Sequence, residues 1–116
     1  MKPSFQMIDV GNKPIKHRIA VASGEIVVGT EAFALIRDRK LPKGDVLETA
    51  RVAGILAAKR TPDLIPLCHP ISIDSAAIVF ELHDSDVHIS GIITGQAKTG
   101  FEMEALTAVT VAALTI

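Results

Sequence analysis

The sequence has no tryptophan and no tyrosine, and only four phenylalanines, although hydrophobic residues make up 48% of its 116 positions. Its core must therefore be assembled from Ala, Val, Ile and Leu, each of which buries little area. Surface-to-volume scaling penalises a small domain built this way, so an oligomer is expected. Cys68 is the single cysteine. An internal disulfide is excluded and a reducing compartment fits. Charge of either sign is not in excess: 12 Lys plus Arg face 13 Asp plus Glu. That balance argues against a nucleic-acid partner. No long hydrophobic run occurs either. The longest, from Ala105 to Ile116, is shorter than the roughly 20 residues a membrane span needs. Met1-Lys2-Pro3-Ser4 leads into no signal-like apolar stretch, so a cytoplasmic protein with no membrane partner is expected.

The length allows one domain, 1–116. Phe5 to Val10 is extended-looking, and the turn chemistry of Gly11-Asn12-Lys13-Pro14 follows it, which makes this arm peripheral. Ile15 to Val28 is β-branched and reads as strand. Ser23-Gly24 within it marks either a hairpin turn or a bulge, and one long strand is the expectation. Thr30 is placed to cap a short surface helix over Glu31 to Arg37. Asp45 and Glu48 form a capping signal for a helix from Val46 to Lys59, one side of which is left bare by Ala50, Ala53, Gly54 and Ala57. Thr61-Pro62-Asp63 breaks the chain. Leu64 to Pro70 carries two prolines, which exclude a helix interior or central strand and predict an ordered, partly buried loop.

Ile71 to Leu82 and Val87 to Ile93 read as antiparallel strands joined around His83-Asp84-Ser85-Asp86. Gly95 to Gly100 reads as a loop. Phe101 to Ile116 has helical length, acidic Glu102 and Glu104 near its positive end, and no charge thereafter. A helix without a polar face is expected to be buried on all sides, partly in a subunit interface. No stop signal follows it, and the pattern reads as cut rather than finished.

Four polar residues stand where a bland fold would not require them. Lys43 lies in a Pro-Lys-Gly loop, where it is either a solvated cation or a pocket lysine that holds phosphate or exchanges a proton. Gly44 beside it would let a ligand approach. His69 sits between Cys68 and Pro70 as either a satisfied core histidine or a catalytic group. Lys98 occupies a second loop. Glu104 enters an apolar helix, where a buried carboxylate needs a partner. Cys68 reads as a small hydrophobe rather than a nucleophile, and a Cys68-His69 metal pair lacks the third and fourth ligands of a zinc site. His17, His83 and His88 read as surface residues. Gly95 to Gly100 resembles a phosphate-binding loop only in composition, since the spacing is wrong. Lys98-Thr99-Gly100 has no Ser-x-x-Lys nucleophile to accompany it.

Five segments together carry a family resemblance: Lys43-Gly44-Asp45-Val46; Ala50-Arg51-Val52-Ala53-Gly54-Ile55; Ala57-Ala58-Lys59-Arg60-Thr61; Asp63 to Pro70, with Leu67-Cys68-His69-Pro70; and Lys98 to Thr107, with Glu102-Met103-Glu104-Ala105-Leu106-Thr107. In order and spacing they resemble the cyclic pyranopterin monophosphate synthase (MoaC) family of molybdenum-cofactor biosynthesis. The resemblance implies a ferredoxin-like α+β fold, an antiparallel sheet with helices packed on one face, in a hexamer of three dimers with active sites at subunit contacts. It implies a lyase that rearranges cyclised dihydroguanosine triphosphate to cyclic pyranopterin monophosphate and releases pyrophosphate, without metal or organic cofactor. By position, Lys43 matches a loop acid or base, and Lys43, His69 and Glu104 form the implied catalytic set. Leu67, Cys68 and His69 match a substrate-binding loop, and Met103 and Glu104 match its partner. Arg18, Lys59 and Lys98 are implied phosphate neighbours. In the family the last helix runs on into a Tyr-Asp-Met-Cys-Lys segment that supplies an aspartate and a lysine. A chain without that segment is expected to bind substrate with reduced turnover, or to act as a nucleotide-binding or assembly subunit.

Overall fold

The computed structural model describes residues 5–116, so the Met1 to Ser4 reading lies outside the described residues. A strand β1 (Lys16–Val27) is followed by helices α1 (Gly29–Arg37), α2 (Val46–Lys59) and the single turn α3 (Thr61–Leu64). Strands β2 (Ser75–His83) and β3 (Asp86–Ala97) then form a hairpin, and helix α4 (Glu102–Thr115) completes the described chain. The sheet is antiparallel in the order β1-β3-β2. With α2 and α4 packed against it, this is the expected ferredoxin-like α+β architecture.

The central strand alternates cleanly. Val87, Ile89, Gly91, Ile93, Gly95 and Ala97 are all buried, while their neighbours are only partly covered or exposed. Register fixes which residues share that inner face, because directly opposed side chains point the same way. Ala22 and Ile78 both oppose Gly91, and Ala20 and Ala76 both oppose Ile93. Helix α4 lies on this face through Ala105, Ala108, Val109 and Ala112, a stripe of helical period.

Small residues let the layers approach. At Gly54 of α2, a Cβ would collide with Ile78 Cδ1 and lie 2.9 Å from the Ala108 carbonyl oxygen. The bare side of α2 read from the sequence is thus the side that meets α4 and the sheet: Ala50, Gly54, Ala57 and Ala58 are buried. The Asp45 side chain accepts from the Glu48 N–H, as the capping signal requires. Gly44 precedes it with φ of +97° and open space where a Cβ would be. That glycine is demanded by backbone conformation, not by crowding.

Several expectations are corrected. Ser23-Gly24 lies inside one continuous strand, as favoured, but Thr30 does not cap α1. The helix begins at Gly29 after Val28, without a side-chain cap, and the N–H groups of both residues donate to the Ser85 carbonyl at the hairpin tip. A distant turn therefore does what a local hydroxyl was expected to do. Thr61-Pro62-Asp63 does not break the chain but forms α3 with Leu64, since proline is compatible with a first helical turn. The second strand starts at Ser75 rather than Ile71. The third continues through Gly95-Gln96-Ala97, because β1 offers a complete ladder as far as Lys16, and this shortens the expected loop to 98–100. Within a single chain helix α4 is buried along one stripe, with Leu106 and Leu114 exposed, so the expected burial of its other faces rests on a subunit contact.

The close α2–α4 packing generates a signed prediction. At an open helix position Gly→Ala stabilises by up to about 1 kcal/mol, whereas here Gly54→Ala should destabilise by about 1–3 kcal/mol through overpacking. Thermal unfolding should show a melting temperature lower by at least about 4 °C. An unchanged or higher value would refute the tight approach.

Candidate functional site

The strongest candidate site grows from two loops that the core holds rigidly. The first follows α3. The buried Thr61 hydroxyl donates toward the Ala57 and Ala58 carbonyls and closes the end of α2. The Ile65 N–H then bonds the Thr61 carbonyl and the Cys68 N–H bonds that of Ile65. Pro66 and Pro70 restrict the remaining freedom. Leu67, Cys68 and His69 are thereby presented on a fixed turn. The second loop follows β3, where the Arg18 guanidinium donates to the carbonyls of Ala97 (3.1 Å) and Lys98 (3.2 Å). Phe101, fully buried, is wedged against Gly95. That ring fixes where α4 starts, and so where Met103 and Glu104 stand.

Between the loops lies a cleft of about 390 Å³, lined by Leu67, Cys68, His69, Met103 and Glu104 together with Thr99, Gly100 and Glu102. Its volume falls in the range of small-molecule sites. Glu104 is only 1% exposed. Its Oε2 accepts from the Cys68 thiol at 3.3 Å, while Oε1 has no hydrogen-bond partner among the described residues. An acceptor left unmet in this way costs about 1–3 kcal/mol, which a bound donor would recover. Burial, and then the Glu104 carboxylate, push the Cys68 thiol up to about 11. At neutral pH it is a neutral donor, consistent with the sequence reading of Cys68 as no nucleophile.

Five of the residues expected at the site are therefore brought together: Leu67, Cys68, His69, Met103 and Glu104. Lys98 stands in an adjoining cleft of about 310 Å³, which shares His69 as a wall. Arg18 is tied to the loop carbonyls behind. Lys43 and Lys59 are exposed and line neither cleft within one chain. The arm expected to be peripheral is not, since Gln6, Ile8, Val10 and Lys13 line the cleft. The His69 imidazole Nε2 lies 2.6 Å from the Ile8 carbonyl oxygen. Nothing in a polar-apolar pattern signals such a contact, which joins residues 61 positions apart. Glu102, read as a dipole residue, also borders the cleft.

Metal-like geometry occurs elsewhere. At the far end of β3, Glu25, Asp86 and His88 converge, with His88 Nε2 at 3.1 Å from Glu25 Oε2 and 3.5 Å from Asp86 Oδ2. None of the three borders the cleft. The His83 ring lies beside that of His88, tilted by 49° with the centroids 4.5 Å apart.

The thiol's environment can be tested directly. Its folded-state value lies above the ordinary 9.0, so the stabilisation linked to the protonated thiol is complete below that value and is lost as pH rises toward 11. Alkylation of Cys68 at pH 8 should be about a hundredfold slower than for an unperturbed thiol and should keep rising about tenfold per pH unit beyond pH 9. Glu104→Gln should accelerate it only partly, because burial is the larger cause. A plateau near pH 9 in the wild type would contradict this account.

The sequence matches the family model described as the MoaC family over residues 7–116. It is 49% identical over 111 residues to the cyclic pyranopterin monophosphate synthase of Streptomyces griseus, covering 96% of this chain and 63% of that protein. It is 53% identical over 113 residues to the synthase of Chloroflexus aurantiacus, covering 96% of this chain and 69% of the relative. With the probable synthase of Pyrococcus abyssi it shares 49% identity over 111 residues, 96% of this chain and 70% of the relative. The chain thus spans about two thirds of the length of these relatives. Leu67-Cys68-His69 and Met103-Glu104, which carried the resemblance in sequence, are the segments that wall the cleft, and the chain belongs to the MoaC family.

Proposed function

We propose that the protein of which this chain forms a part is a cyclic pyranopterin monophosphate synthase of molybdenum-cofactor biosynthesis. It rearranges 3',8-cyclo-7,8-dihydro-GTP and releases pyrophosphate. The observation that carries this reading is the buried Glu104 carboxylate, whose Oε1 lacks a donor, in a cleft walled by the two segments most distinctive of the family. A guanine-derived ring system supplies N–H donors of the kind that oxygen needs. The apolar side chains of Leu67, Ile71 and Met103 suit the flat faces of the ring.

Roles follow from chemistry and position. Glu104 accepts from the ring N–H groups and holds the base in register. The Cys68 thiol, kept protonated, orients Glu104 rather than attacking the substrate. His69 and Lys43 exchange protons as the rings open and close, a contribution of about 100- to 10,000-fold each in such chemistry. Closure of the cyclic monophosphate joins a sugar hydroxyl oxygen to the α-phosphorus and breaks the bond to the departing pyrophosphate. Arg18, Lys59 and Lys98 neutralise the phosphates. The reaction needs no metal or organic cofactor.

Lys43 and Lys59 lie outside the cleft of their own chain, which is why we place the working site at a contact between copies, in a hexamer of three dimers. Two further features support association. The radius of gyration is 16.6 Å, against about 13 Å for a compact domain of this length. The outer sheet face also presents Ile19, Val21, Val27 and Val79 to solvent. No helix among the described residues is long and apolar enough to cross a membrane, and a cytoplasmic location fits the small polyanionic substrate.

The reading is tested by supplying the cyclised precursor and measuring pyranopterin and pyrophosphate. Lys43→Ala should abolish product while leaving the oligomer intact, and normal turnover by that variant would overturn the role given to Lys43. Glu104→Gln should weaken precursor binding, measured by calorimetry, by about 10- to 150-fold, the equivalent of about 1.5–3 kcal/mol for a hydrogen bond to a charged group. Unchanged affinity would remove Glu104 from the base-binding role.

A further inference from the structure

The arm that precedes β1 contacts the cleft through a backbone carbonyl, and this contact has a chemical direction. A carbonyl oxygen can only accept. At 2.6 Å from the Ile8 oxygen, the His69 Nε2 must present a hydrogen, because two facing lone pairs at that separation repel. Neutral imidazole carries one ring hydrogen. We infer that the Ile8 carbonyl locks neutral His69 in the tautomer protonated at Nε2, which leaves Nδ1 as the ring's proton acceptor and makes the arm a positioning element of the site. The inference rests on the functional reading of the cleft given above, and it adds which nitrogen exchanges the proton and what selects it.

The arm has few other anchors, which makes the coupling reciprocal. Ile8 is 76% exposed, so burial does not hold it. A local turn shapes the segment: the Gly11 N–H donates to Asp9 Oδ1 at 2.8 Å and the Lys13 N–H to the Val10 carbonyl at 3.0 Å. Lys98 Nζ reaches the Gly11 carbonyl at 3.4 Å. His69 and Lys98 are thus the two side chains of the cleft region that tie the arm down. His69 Nδ1 makes no hydrogen bond among the described residues. Protonation of the ring leaves the Nε2 donor in place, so the arm stays docked in the acid and neutral forms alike. Only a neutral ring protonated at Nδ1 releases it.

Two measurements decide the matter without turnover. In protein labelled with 15N-histidine, the two-bond 1H–15N spectrum at about pH 8.5, above the ordinary imidazole range near 6.5, should show His69 Nε2 in the protonated range and Nδ1 in the unprotonated range. A ring protonated at Nδ1, or two averaged resonances, would overturn the inference. Hydrogen exchange at the Gly11 and Lys13 amides provides the second readout. His69→Gln retains an N–H donor where Nε2 stood and should keep the protection, whereas His69→Ala should exchange at least tenfold faster. Equal protection in the two variants would also overturn it. Both readouts are taken without substrate, so a failure to form pyranopterin would count against the functional reading alone.

Discussion

Burial of the Glu104 carboxylate is the constraint on which the rest of the site depends. A carboxylate removed from water needs a donor close by, because the protein interior returns little of the lost hydration. Cys68 supplies one donor, at 3.3 Å to Oε2. To place it there, the chain must end α2, turn through α3 and run back across the first turn of α4. Each of those steps has its own fastening: the Thr61 hydroxyl on the α2 carbonyls, the two prolines, and Phe101 against Gly95. Burial of the thiol is the first cause of its elevated pKa, and Glu104 adds to it, since the group that accepts the sulfur's proton also disfavours its loss. Oε1, still without a donor, is then the natural point of entry for a ligand, and rigidity around it reduces the entropy lost on binding.

How far the sequence could be read follows from the range of the interactions involved. Helix α2 was legible to the residue, because its cap, its period and its bare side are local properties of Asp45 to Lys59. Strand β1 was legible for the same reason. Apart from Thr61-Pro62-Asp63, where proline simply suited a first helical turn, the main misreadings involve partners distant in the chain. Thr30 lost its capping role to Ser85, 55 positions away, and Gly95-Gln96-Ala97 became strand because Lys16 to Arg18 were there to pair with them. An arm rich in turn residues looks peripheral until His69 is placed beneath Ile8. The uncharged stretch of α4 predicted burial all round, partly in a subunit interface; one chain covers the Ala105-Ala108-Ala112 stripe, and apolar composition alone does not reveal which faces it covers. Within the site, Leu67 to His69 and Met103-Glu104 were identified by resemblance. Gln6, Ile8, Val10 and Glu102 carried no pattern that could single them out.

The distribution of positive charge bears on how the site works. The proposed substrate, a triphosphate, would bring several negative charges to a chain whose formal charge is only -1. Its cations must therefore be concentrated rather than abundant. Within one chain the cleft is bordered by Lys13, with Lys98 in the space next to it, and it also contains Glu102 and Glu104. Such a cleft suits a base better than it suits a phosphate chain. Arg18 illustrates the shortage: its guanidinium is committed to two loop carbonyls, although the fork retains further N–H donors that could reach an anion. Lys43 and Lys59 are exposed on other parts of the surface, and in the proposed assembly a second copy would present them. On the proposed reading, base recognition would fall to one chain and charge neutralisation mainly to its neighbour. Such an arrangement would make the complete site conditional on assembly, so that the proposed precursor, with its labile ring system, would meet its acids and bases only where the binding groups are already in place.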